Sequence, residues 1–255
     1  MTLHLFKEDP TARAVVNAIQ AGDLSTLKRL LAEHPHLATA HVDCQVGRDV
    51  QSRSLLHIAT DWPGHSPNGP AVVAALIQAG ADVNARFVGS HSETPLHWAA
   101  SSNDVAVLDA LIDAGADVEA DGGVIGGGSP LADARGFGQW DAARRLVERG
   151  ARTTLTDAAT LGLIDRVEAH FGSREMPTSE AITRAFWGAC HGGQRHVAEY
   201  LLARGAEINW IGHGGMTALD VACREDAGRL AGRTAAADLV RWLQAQGAKS
   251  AGELR

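Results

Sequence analysis

The chain has 255 residues, of which 45% are apolar and 21% charged, enough for one large or two ordinary domains with a sizeable core, and inconsistent with wholesale disorder or a collagen-like chain. A formal charge of −7 and a pI near 5.9 remove the broad attraction to phosphate or anionic lipid on which non-specific nucleic-acid and membrane binders depend. Cys44, Cys190 and Cys223 are odd in number and widely spaced, which suits reduced thiols and a cytoplasmic setting. The start, MTLHLFKEDPTAR, lacks a basic segment followed by an apolar one, and no later stretch approaches 18 uncharged apolar residues.

In chain order the same unit recurs. LLAEHPHLA (31–39) closes an early copy, LIQAGADVNAR (76–86) and LIDAGADVEAD (111–121) close two clear ones, LVERGARTTLT (146–156) is weaker, and LLARGAEINWI (201–211) and WLQAQGAKS (242–250) follow. Upstream of four of these sits a second phrase: SLLHIAT (54–60), TPLHWAA (94–100), SPLADAR (129–135) and TALDVAC (217–223). The order is phrase, helix, helix, loop. Thr94 can cap the first helix, Pro95 suits its first turn, and the Gly of each "AGAD" suits a left-handed C-cap. Leu96, Ala99, Val107, Leu108, Leu111 and Ile112 place apolar groups on the facing sides of two short helices.

Thr94-Pro95-Leu96-His97-Trp98-Ala99 resembles the opening phrase of the ankyrin repeat, whose period is about 33 residues. The resemblance implies an all-α solenoid of stacked helix pairs with short β-hairpin fingers, covering residues 1–255 as one domain. Its approximate units are 10–40, 52–86, 92–121, 127–151, 152–177, 180–211 and 215–249. The slot of the phrase's His falls at Val16, His57, His97, Ala132, Thr156, Trp187 and Asp220, with spacings of 41, 40, 35, 24, 31 and 33. The 24-residue step leaves no room for a finger, so Arg152–Thr156 is expected to be a truncated connection and a break in the groove.

Three segments depart from the repeat: Ala40–Ser52, long enough for an extended hairpin; Asp61–Gly69, an insertion between two helices; and Cys223–Asp238, an insertion in the last unit. Loops that tolerate change are where sites concentrate. In the implied geometry the first helices and finger tips line a concave groove. Residues expected there are Asp61, Trp62, Trp98, Asp133, Phe137 and His191, joined by His65 and His91, with His213 at a finger tip. Neither Trp98 nor Trp62 occupies a slot that needs an apolar side chain for helix packing, so both are expected to touch a partner. His57 and His97 read as ties between neighbouring repeats, and Trp140, Trp187 and Trp242 as packing.

Twelve His invite a metal, but there is no H-E-x-x-H, no C-x₂-C and no paired carboxylate and His. Cys190 and His191 are adjacent on one helix and point about 100° apart, a poor arrangement for a nucleophile and its base. GGVIGGGSP (122–130) and GHGGMT (212–217) lack the Lys-Ser/Thr of a phosphate loop and read as tight fingers. The expected function is a monomeric, cofactor-free, non-enzymatic module that binds another protein in its groove, an acidic surface suiting a basic client. The alternative is a small-molecule site or enzyme in which the 61–69 insertion covers Trp98, His91, Asp133 and His191.

Overall fold

The computed structural model describes residues 3–224 and 229–255, and the chain divides into two compact units, Met1–Ala151 and Arg152–Arg255. The division falls where the repeat spacing is shortest. Part of the 223–238 insertion, residues 225–228, lies outside the described residues.

The first unit opens with strand β1 (His4–Phe6) and then pairs helices: α1 (Pro10–Ala21) with α2 (Leu24–Glu33), α3 (Leu55–Thr60) with α4 (Gly69–Gln78), α5 (Pro95–Ser101) with α6 (Val105–Asp113), and α7 (Pro130–Gly136) with α8 (Trp140–Glu148). Strands β2 (His41–Val46) and β3 (Asp49–Ser54) form the extended hairpin anticipated for 40–52, in antiparallel register from His41↔Ser54 to Val46↔Asp49. β1 adds to it in parallel, giving the order β1-β2-β3, a strand the repeat pattern does not announce.

Sequence dictates these elements locally. Thr94 and His97 form a reciprocal capping box at α5, with Pro95 at the first helical position. Asp104 accepts the Val107 N–H at the start of α6. Leu96, Ala99 and Ala100 of α5 and Val107, Leu108 and Leu111 of α6 are then buried, with small Ala where neighbouring helices approach closest.

In the second unit α9 (Leu155–Thr160) follows Ala151 after three residues, with no intervening hairpin. It pairs with α10 (Ile164–Phe171), α11 (Ser179–His191) with α12 (Arg195–Leu202), and α13 (Ala218–Ala222) with α14 (Arg233–Ala245). The core runs through Val167, Phe186, Val197, Leu201, Val221, Leu239 and Leu243. Among the described residues no helix is long and apolar enough to cross a membrane.

Candidate interaction surface

The phrase that opens each first helix acts as a staple between repeats. His57 Nδ1 accepts the Ser54 hydroxyl at 2.8 Å, while its Nε2–H donates to the Glu93 carbonyl at 3.0 Å, just before the next cap. His97 Nδ1 accepts the Thr94 N–H at 3.1 Å, and Nε2–H donates to the Gly128 carbonyl at 3.1 Å, again just before the next cap. Both rings are buried, which drives their pKa values down, that of His57 to about 3, so they work as neutral donors and acceptors. In the second unit Trp187 takes the slot, its indole N–H donating to the Met216 carbonyl at 2.9 Å, before the Thr217 cap. Trp187 is thus more than packing. It reproduces one half of the histidine staple.

The fifth slot belongs to Asp157 rather than Thr156. Thr154 and Asp157 form the capping box of α9, as Thr217 and Asp220 do at α13, and a carboxylate at the third helical position replaces the imidazole. Asp220 reaches forward as well, accepting the Ala251 N–H at 2.9 Å.

Trp98, expected to be open, is half-buried. Its ring meets His57 edge-on at 4.9 Å and Phe87 at 5.4 Å, and its indole interacts with the Glu93 carboxyl, whose own pKa is raised by burial. Packing under the finger therefore claims much of this side chain. Asp133, expected in the groove, is fully buried and accepts the Ile125 N–H at 2.8 Å and the Val124 N–H at 3.2 Å. It pins the glycine-rich finger, which comes so close that a Cβ on Gly123 would stand 2.7 Å from the carboxylate. Burial raises the Asp133 pKa against the pull of these two N–H groups and of nearby His97.

The side chains held out into solvent are different ones. Trp62 is 72% exposed and Phe137, the residue that ends α7, 47% exposed. Both stand at the turn end of the first helices, two repeats apart, about 20 Å at the usual interhelical spacing. Asp61 is tied to Arg53 at 2.8 Å and accepts the Trp62 N–H, fixing where Trp62 leaves α3. The rest of the 61–69 insertion is anchored: the His65 N–H donates to Asp104 at 2.7 Å and the Asn68 amide to the Gly22 carbonyl at 3.0 Å. These anchors lie at the turn end, whereas exposed His91 and the Asp133–finger contact lie at the other end of helices seven residues long, about 10 Å away.

In the second unit His191 is buried, its ring 5.5 Å from Trp187, and His213 is exposed in the short turn His213–Gly215. Cys190 is wholly buried, and burial raises its thiol pKa beyond the range of a working nucleophile. Among the described residues no three His, Cys, Asp or Glu side chains are grouped as a metal ion requires.

The family model described as ankyrin repeats (3 copies) matches residues 68–157. Among solved structures, the human ASB11 ankyrin repeat domain is similar in fold at 21% identity and a TM-score of 0.50, covering 91% of this chain and 98% of that one. A comparison with curated protein sequences finds no match. Ankyrin repeats are in general protein–protein interaction modules and typically carry no enzymatic activity. Residues 68–157 thus match the ankyrin-repeat family by sequence, and the chain shares the fold of an ankyrin repeat domain.

Proposed function

We propose that the first unit binds a partner protein along the row of its first helices, with Trp62 and Phe137 as anchors and the exposed part of Trp98 between them. The observation that carries this reading is the presentation of two large aromatic side chains from a fixed framework. Trp62 is positioned by the Asp61–Arg53 ion pair and the anchored insertion, and Phe137 by the end of α7. Large aromatics held rigidly lose little conformational freedom on binding and dominate interface energetics. His65 and His91 flank the row. Charge supports a basic partner: the first unit holds 18 Asp and Glu against 11 Lys and Arg, which favours encounter with a basic surface.

The test pairs the parent chain with Trp62→Ala/Phe137→Ala in affinity capture and measures affinity for whatever is retained. Two anchor truncations are expected to weaken a partner by about 2–4 kcal/mol each, roughly thirty- to a thousandfold per residue, while leaving the thermal midpoint unchanged. Retention of the same partner with unaltered affinity would remove this face from the interaction.

A further inference from the structure

The middle of the first-helix row in the first unit holds an aromatic ring beside two carboxyl groups that form no ion pair with a lysine or arginine among the described residues. Trp98 and Asp133 occupy the same place, the fourth residue of α5 and of α7, two helices that begin with proline and pack side by side. Glu93, from the finger before α5, adjoins both: its carboxyl interacts with the Trp98 indole and lies within the field of Asp133. Glu93 is only 7% exposed and Asp133 wholly buried, and burial raises both pKa values, as expected of carboxyls that lack a counter-charge. Arginines of this unit hold other acids: Arg53 holds Asp61, Arg86 holds Asp121, and Arg145 and Arg149 share Asp109. The other titratable groups facing the pair are His97 and His91. His97 is buried and spends its ring nitrogens on Thr94 and Gly128, whereas His91 is exposed on the finger.

We infer that this place receives the guanidinium of an arginine on the partner protein, laid on the open part of the Trp98 ring with Glu93 as its counter-charge. A guanidinium is planar and weakly hydrated, so it can stack on a half-buried indole while turning N–H groups toward a carboxyl. A strongly hydrated ammonium does this less well, and an apolar side chain leaves the carboxyl unpaired. Asp133 adds attraction from behind, because its oxygens are taken by the Val124 and Ile125 N–H groups. A cation here favours the ionised form of Glu93, and the ionised form in turn favours the cation. This assignment rests on the reading of the row as a protein-binding face, and it names the chemistry of the partner residue at the centre.

The full chain is titrated at pH 7.5 with acetyl-Ala-Ala-Arg-Ala-Ala-amide, and with the same peptide carrying lysine or citrulline, the uncharged analogue of arginine, at its centre. Binding is followed by NMR at the indole N–H resonances, that of Trp98 being assigned with Trp98→Phe. The arginine peptide is expected to shift the Trp98 resonance saturably and to bind about tenfold tighter than the citrulline peptide, with the lysine peptide between them. Glu93→Gln, which keeps an acceptor for the indole, should weaken the arginine peptide about tenfold at a thermal midpoint no lower than the parent's. Absence of a saturable Trp98 shift would overturn the inference. So would equal affinity for the arginine and citrulline peptides, a comparison that needs no variant, and equal affinity for the lysine peptide would overturn the choice of a guanidinium. The anchors are judged separately: a failed peptide titration beside loss of a captured partner with Trp62→Ala/Phe137→Ala removes this subsite alone, whereas a bound peptide beside undiminished capture removes the anchors alone.

Discussion

His57 makes the stability of the first unit depend on pH in a window that few other groups share. It is fully buried and bonded at both ring nitrogens, with its pKa driven down to about 3 from an unfolded value of 6.5. A His depressed in the folded state is protonated more readily in the unfolded chain, so its contribution is complete above pH 6.5 and is lost as pH falls below that value. At pH 5.0 the unfolded imidazole is about 1.5 units below its pKa while the folded one is still neutral, which at 1.36 kcal/mol per unit removes about 2 kcal/mol. His97 and His41, also depressed chiefly by burial, act in the same direction. Glu93 and Asp133 have raised values and act oppositely, their contribution growing as pH falls through their folded values toward the unfolded carboxylate range near 4, so only a comparison in which both chains carry them isolates the histidine. The assay is denaturant unfolding at pH 7.5 and 5.0 for the parent chain and for His57→Gln, which keeps a donor of similar reach but does not titrate. The variant's loss between the two pH values should be smaller than the parent's by about 2 kcal/mol, the two carboxylates being common to both chains. Equal losses in the two chains, or a His57 ring that titrates near 6.5 by NMR, would refute the reasoning.

Other perturbations follow the same geometry. Leu96→Ala empties a fully buried site and is expected to cost about 2–5 kcal/mol by denaturant unfolding. Asp133→Asn keeps one acceptor for two backbone donors and turns an amide toward the finger; a loss of about 1–3 kcal/mol should appear, together with faster hydrogen exchange at Val124 and Ile125. Trp187→Phe removes the donor to the Met216 carbonyl and is expected to cost about 1 kcal/mol, loosening exchange protection across 212–217 while leaving the first unit unaffected.

Much of the fold is legible because each helix start carries its own chemistry. Thr94-Pro95 and Thr217 announce caps, and Gly80, Gly115, Gly150, Gly205 and Gly247 after second helices announce stops. The Asp157 slot was also readable, since Thr154-x-x-Asp157 repeats the spacing of Thr217-x-x-Asp220, a stronger marker than a count from the previous repeat. Strand β1 was not, because three residues carry no periodicity and acquire their pairing only from β2. The face was read less well than the frame. Trp98 and Trp62 look alike in sequence, yet Phe87 and Glu93, contributed by the finger before α5, claim the first and nothing comparable claims the second. Asp133 looked available because its role depends on the path of a glycine-rich finger that folds over it. Contacts made by loops of special conformation are the ones that repeat spacing does not encode.

The central claim is that a partner protein is held by exposed aromatic anchors on the first unit, and it is tested most directly by the affinity of a captured partner for the parent chain, Trp62→Ala and Phe137→Ala, each at unchanged thermal midpoint. The account requires at least a thirtyfold loss of affinity for either variant. Undiminished binding by both would contradict it.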